Sequence, residues 1–148
     1  MRVLLDTNVL IDYYTRREPH YKDALKLRVM QEFGDVELWA SVQSFSDIAY
    51  ILRNETESKK LQLAFLASLA FLHVCSLDQG DLEKACQAAW GDLEDCLVER
   101  CAQKLKAEII LTHDVKGFLQ SSSTVLTPSE FFDVVSSRHG ITYDAIDY

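Results

Sequence analysis

The chain has 148 residues and a mass of 16.9 kDa, the size of one domain. With 48% hydrophobic residues, five Gly and two Pro, it is neither a disordered nor a fibrous chain. Its 15 Lys+Arg against 23 Asp+Glu leave a net charge of −8, which argues against a broad basic surface for nucleic acid or an anionic membrane. A local patch, or binding through metal ions, stays open.

Val3-Leu4-Leu5 reads as a buried strand ending at Asp6. Asn8 to Tyr14 continues as a helix, broken by Arg16-Arg17-Glu18-Pro19. His20 to Phe33 is helical in pattern and stops at Gly34. Val36 to Ala40 is a second strand. Ser41 to Arg53 places Phe45, Ile48, Ala49 and Leu52 on one helical face. Lys59 to Ala70 is a helix and His73 to Leu77 a third strand. Leu82 to Trp90 and Leu93 to Lys106 are helices separated near Gly91. Ile109 to Leu111 and Thr124 to Leu126 are short strands, and Pro128 opens a helix through Val135. Residues 139–148 form a short tail after a domain at 1–138.

The N-terminus reaches Asp6 before any long apolar region, so no secretory signal is visible. The apolar stretch Leu61 to Leu77 carries Gln62, Ser68, His73 and Ser76, which suits a helix running into a strand better than a membrane span. Cys75, Cys86, Cys96 and Cys101 contain no CxxC pair, so buried reduced thiols and a cytoplasmic location are expected. Strands alternating with helices predict a single α/β domain: three layers, α/β/α, around a mainly parallel sheet of about five strands. Sites in such sheets form beyond the carboxyl ends of the strands.

Acids gather where that rule points. Asp6 follows the first strand directly. Asp114 follows Ile109-Ile110-Leu111 after Thr112 and His113. Asp47 sits early in its helix, and Asp92, Asp95 and Glu99 share one face of another. Clustered carboxylates repel, and a divalent cation relieves the repulsion. Hard oxygen ligands suit Mg²⁺ or Mn²⁺, which polarise a phosphoryl oxygen and activate water. Each acid also has an ordinary role: Asp6 and Asp92 as helix N-caps, Asp47 and Glu99 as exposed helix acids, Asp114 as a turn residue.

Met1-Arg-Val-Leu-Leu-Asp-Thr-Asn-Val-Leu-Ile-Asp12 resembles the opening of a PIN domain, the fold of many toxin ribonucleases of bacterial toxin–antitoxin pairs. Asp92-Leu-Glu-Asp-Cys-Leu97 resembles the family's third acidic motif, and Ile110-Leu-Thr-His-Asp114 its fourth, with Lys116 and Phe118 following. Arg17-Glu-Pro-His20 and Ile48-Ala-Tyr-Ile-Leu-Arg53 look like a VapC-like branch. The resemblance implies a Mg²⁺- or Mn²⁺-dependent endoribonuclease with Asp6, Asp47, Asp95 and Asp114 as its catalytic, metal-binding acids and Asp92 as a fifth candidate. Asn8, Ser44 and Thr112 match its supporting polar positions. It also implies a homodimer and an antitoxin encoded nearby. Many members carry Glu at the second acidic position, where this chain has the shorter Asp47. His113 stands where Arg is common, and an imidazole holds phosphate less firmly.

Arg16, Arg17, His113 and Lys116 are the candidates for contact with RNA phosphates, while His20, His73 and His139 read as structural or surface residues. The expected activity is hydrolysis of RNA phosphodiesters by a toxin component. The alternative is a PIN-like module, weak or inactive in catalysis, that binds RNA or a protein. A phosphatase with an aspartate nucleophile after the first strand would need a second Asp two residues on, and Asn8 occupies that position.

Overall fold

In the computed structural model, which describes residues 1–140, β1 (Arg2–Leu5) and α1 (Thr7–Thr15) are followed by α2 (His20–Phe33), β2 (Glu37–Ser41) and α3 (Val42–Ile51). Then come α4 (Ser58–Ser68), β3 (His73–Cys75), α5 (Gln79–Ala88) and α6 (Leu93–Leu105). The chain continues through β4 (Ile109–Leu111), a 3-10 turn at Val115–Phe118, β5 (Thr124–Leu126) and α7 (Pro128–His139). The last helix runs beyond Val135, to a left-handed cap at Gly140. The tail expected at residues 139–148 lies, past Gly140, outside the described residues.

The five strands form one parallel sheet in the order β3-β2-β1-β4-β5. Parallel strands covered on both faces must be apolar on both, and the alternation of side chains explains the continuous runs. Val3, Leu5, Ile109 and Leu111 face one core with Leu38, Ile48 and Phe131. Leu4 and Ile110 face the other, with Val98, Cys101 and Ala102 of α6. Burying each large aliphatic contributes roughly 1.5–3 kcal/mol. The result is the three-layer α/β/α arrangement expected from the strand–helix alternation.

Two local expectations change. The helix expected to run to Trp90 stops at Ala88, because Ala89 turns into the left-handed region at φ 52, and the break before α6 includes Gly91 as expected. Cys75, Cys96 and Cys101 are buried thiols, but Cys86 on the outer side of α5 is exposed. No helix among the described residues is long and apolar enough to cross a membrane.

The sheet also sets the level of the site. Leu5 pairs in register with Ala40 and with Leu111, so Asp6, Thr112 and Ser41, the last residue of β2, lie together at the carboxyl edge of the sheet. The chain winds outward in one direction from β1 to β3, then crosses back to β4 and β5 on the other side of β1. The crevice between β1 and β4 is therefore the topological switch point, where parallel α/β sheets place ligands.

Candidate metal centre

Asp6 closes β1 and caps α1. Its Oδ1 accepts from the Thr7 N–H at 2.7 Å, and its Oδ2 accepts from Asn8 Nδ2 at 2.8 Å and Thr112 Oγ1 at 2.7 Å. Burial raises its pKa above the ordinary aspartate value, against the three hydrogen bonds and with the help of Asp114. Thr112, buried at the end of β4, also accepts from Asn8 Nδ2 at 3.0 Å and from the Asp114 N–H at 3.0 Å. One threonine hydroxyl thus ties Asp6, Asn8 and Asp114 into a single edge. The Asn8 carbonyl oxygen in turn accepts the His113 N–H at 3.0 Å.

Helix α6 brings the next acids. Asp92 is its N-cap, accepting from the Glu94 and Asp95 N–H groups, so the ordinary capping role holds for it. Asp95, one turn inside, is pushed up to about 6 by burial first, and then by Asp92, Asp6, Asp114 and Glu94. A Cβ added at Gly117 would run into Asp95 Oδ2 and lie 3.4 Å from Asp114 Oδ2. The two carboxylates therefore flank the same glycine. Asp114 itself caps the 3-10 turn through the Gly117 N–H at 3.3 Å.

Asp47 comes from α3 and lines one small cleft with Thr7, Ser44 and Glu94. Its Oδ2 is buried without a hydrogen-bond partner among the described residues, and burial raises its pKa. Glu94 joins it to the rest. Burial, Asp47 and Asp6 raise the Glu94 pKa, and its carboxylate accepts from Thr7 Oγ1 at 3.3 Å. That hydroxyl also bonds buried Ser44 at 3.0 Å. Ser44 thus reaches the acids through Thr7.

The third acid of the α6 face is different. Glu99 is 3% exposed and accepts from Ser121, Ser122 and Gln103. It fastens the segment after the 3-10 turn and is neither an exposed helix acid nor a member of the cluster.

The cationic candidates divide. Arg16 caps α1 with φ 53 and is exposed, as is Lys116 on the 3-10 turn. Arg17 binds Asp12 Oδ1 through Nε at 2.8 Å and through a terminal guanidinium nitrogen at 2.6 Å. His113 Nε2 lies 2.6 Å from Asp12 Oδ2. His20, expected to be structural or at the surface, stacks against His113 with ring centroids 4.4 Å apart.

Glu94, Gly117 and Asp12 were not singled out from the sequence. Asp12 had a signal, since it follows Val9 by three residues on the inward face of α1. Glu94 had the signal of lying between two acids already noted. Gly117 had none beyond its place three residues after Asp114.

These acids meet at one edge and lack compensating cations among themselves, and burial raises the pKa of Asp6, Asp47, Glu94 and Asp95. The unpartnered Asp47 oxygen and the all-oxygen donor set fit a hard divalent cation. A doubly covered parallel sheet with carboxylates gathered at its switch point defines an α/β domain with an acidic site at its carboxyl edge. The PIN domain family model matches residues 2–116, and the chain belongs to that family.

Among the solved structures that share the fold are these three. VapBC-1 from nontypeable Haemophilus influenzae superimposes with a TM-score of 0.66 at 20% identity, covering 87% of this chain and 99% of that one. A toxin–antitoxin complex from Klebsiella pneumoniae gives 0.61 at 21%, covering 85% and 97%. FitAcB from Neisseria gonorrhoeae gives 0.63 at 15%, covering 86% and 98%. No curated protein matches the chain.

Proposed function

We propose that the protein is a metal-dependent endoribonuclease acting as the toxin of a toxin–antitoxin pair, in the cytoplasm. The observation that carries this reading is the convergence of Asp6, Asp95 and Asp114 at the β1–β4 crevice, with Asp47 joined to them through Glu94. Asp6, Asp47, Asp95 and Asp114 would hold Mg²⁺ or Mn²⁺, with Asp92 and Glu94 beside them. Such an ion, when bound, polarises a phosphoryl oxygen and lowers the pKa of water.

The chain's own groups prepare that chemistry. Thr112 and Asn8 fix the direction of the Asp6 carboxylate and favour its charged form against burial. Thr7, itself held by Ser44, orients Glu94. Exposed Arg16 and Lys116 offer positive charge to the RNA backbone, whereas Arg17 directs its charge to Asp12, the carboxylate that His113 Nε2 also approaches. Hydrolysis adds water at phosphorus and breaks the bond to O3′, leaving a 5′-phosphate and a 3′-hydroxyl. With a net charge of −8, RNA binding should depend steeply on divalent metal.

The toxin reading also draws on the structural neighbours, one of which is a toxin–antitoxin complex from Klebsiella pneumoniae. Exposed Tyr50, Ile51, Leu63, Leu66 and Leu69, on and beside α3 and α4, supply apolar surface for a second copy or an antitoxin.

The test is cleavage of a mixed RNA pool with Mg²⁺ or Mn²⁺, comparing the parent with Asp6→Asn and with an EDTA control. Cleavage by the parent alone is expected, and equal activity in both proteins would remove the assignment. The short reach of Asp47 favours a second reading, a non-catalytic PIN module. Partner binding without any cation binding in a titration would support that module.

A further inference from the structure

A second group of donor atoms lies outside the acid edge. Asp12 comes from α1, His20 from the start of α2, and His113 from the turn after β4. One ligand atom of each lies within 4.8 Å of the others. Asp12 is 1% exposed, and its two oxygens are divided: Arg17 takes Oδ1, and His113 Nε2 approaches Oδ2 at 2.6 Å. This pairing accounts for Asp12, Arg17 and His113. It does not account for a second imidazole, His20, stacked against the first at a tilt of 48°.

The surrounding charges nearly cancel. Asp23, on the first turn of α2, is in electrostatic range of His20, His113, Asp12 and Lys26, and Arg17 completes the set. Two carboxylates face two fixed cations. A hard ion held mainly by charge gains little here, whereas an ion with affinity for imidazole nitrogen does not need the extra charge. Two imidazoles and one carboxylate with an open fourth position form an established zinc-type ligand set. A carboxylate ligand oriented by a hydrogen-bonding partner, as Arg17 orients Asp12, is the usual outer support of such sites.

We propose that Asp12, His20 and His113 form a binding site for a borderline transition-metal cation of the Zn²⁺ or Co²⁺ class, separate from the acids at Asp6, Asp47, Asp95 and Asp114. On binding, the proton shared between His113 Nε2 and Asp12 Oδ2 leaves to solvent and the cation takes its place between the two groups. The ion joins α1, α2 and the β4 turn, three elements that meet beside Asp114. The proposal stands independently of the nuclease reading.

The experiment uses the untagged full chain, stripped with EDTA, dialysed, and kept in excess Mg²⁺. Co²⁺ is titrated while its visible absorption and the protein's Tm are followed, and Zn²⁺ is then added as competitor. One saturable equivalent, a rise in Tm and displacement by Zn²⁺ are expected. His20→Ala and His113→Ala should weaken binding by roughly 10–100-fold or more, and Asp95→Asn should leave it unchanged. His20→Gln, at a helix start and compared with the parent by far-UV circular dichroism, repeats the test without disturbing the Asp12 pair. Absence of Co²⁺ binding would overturn the proposal. So would binding that survives both His20 variants, or that is lost with Asp95→Asn.

Discussion

The Thr112 hydroxyl donates a 2.7 Å hydrogen bond to Asp6 Oδ2 while accepting the Asp114 N–H at 3.0 Å. The two central strands β1 and β4 are thus joined at the point where their acids emerge. Thr112 is fully buried, so the bond cannot be replaced by water. Thr112→Val keeps the shape, removes the donor and leaves the Asp114 N–H without its acceptor. The expected cost is about 1–3 kcal/mol in stability, read from denaturant unfolding. RNA cleavage should fall further than that loss explains, because Asp6 and Asp114 both lose a positioning contact. Thr112→Ser should retain most of each.

Gly117 is required by space and not by backbone conformation. A methyl group there would strike the Asp95 carboxylate, and Asp114 Oδ2 is also at contact distance. Gly117→Ala should leave the fold intact, because the turn lies at the surface edge of the sheet. It should displace Asp95, and a misplacement of about 1 Å costs on the order of 10²-fold in rate. Parallel measurement of Tm and of cleavage separates the two effects. An active Gly117→Ala protein would remove Asp95 from the chemistry.

The fold was largely legible because parallel strands buried on both faces must be short apolar runs. Val3-Leu4-Leu5 and Ile109-Ile110-Leu111 have no other comfortable place. Asp6 and Asp114 were legible for the same reason, since each follows such a run. Glu99 was misread because helical spacing gives a shared face but says nothing of what covers it. The serines that bury Glu99 lie 22 and 23 residues away in sequence. The contact of His20 with His113 was not legible, because that partner arrives from a distant turn. Asp47 was recognised by position, yet its link to the other acids runs through Glu94, which only the cleft the two share brings into view.

The Glu99 latch predicts a pH dependence. Burial alone would raise its pKa, but the bonds from Ser121, Ser122 and Gln103 outweigh burial and hold it below the ordinary value. The folded carboxylate therefore binds its proton less readily than the unfolded one, whose pKa is about 4.3. Its contribution is fully present above that value and is lost as pH falls through the folded pKa. Glu99→Gln should lower Tm at pH 7, and the gap between variant and parent should narrow as pH falls below about 4. A gap that stays constant with pH would show that the charge of Glu99 contributes nothing.

Asp95 carries the opposite sign. Burial and four neighbouring acids push it to about 6 in the folded chain, against about 3.9 when unfolded. Between these values the folded protein binds more protons, so its stability falls as pH rises through that window, and the full penalty is present above it. Asp95→Asn removes the penalty. In EDTA at pH 7.5 the variant should melt above the parent, and near pH 4 the difference should largely vanish. Added Mn²⁺ should raise the Tm of the parent and have a much smaller effect on the variant, reversing their order at saturating ion. Should Asp95→Asn instead melt below the parent in EDTA at pH 7.5, the ionised carboxylate would be held by a favourable partner, and the acid edge would not be under the repulsion that makes it a site for a divalent cation.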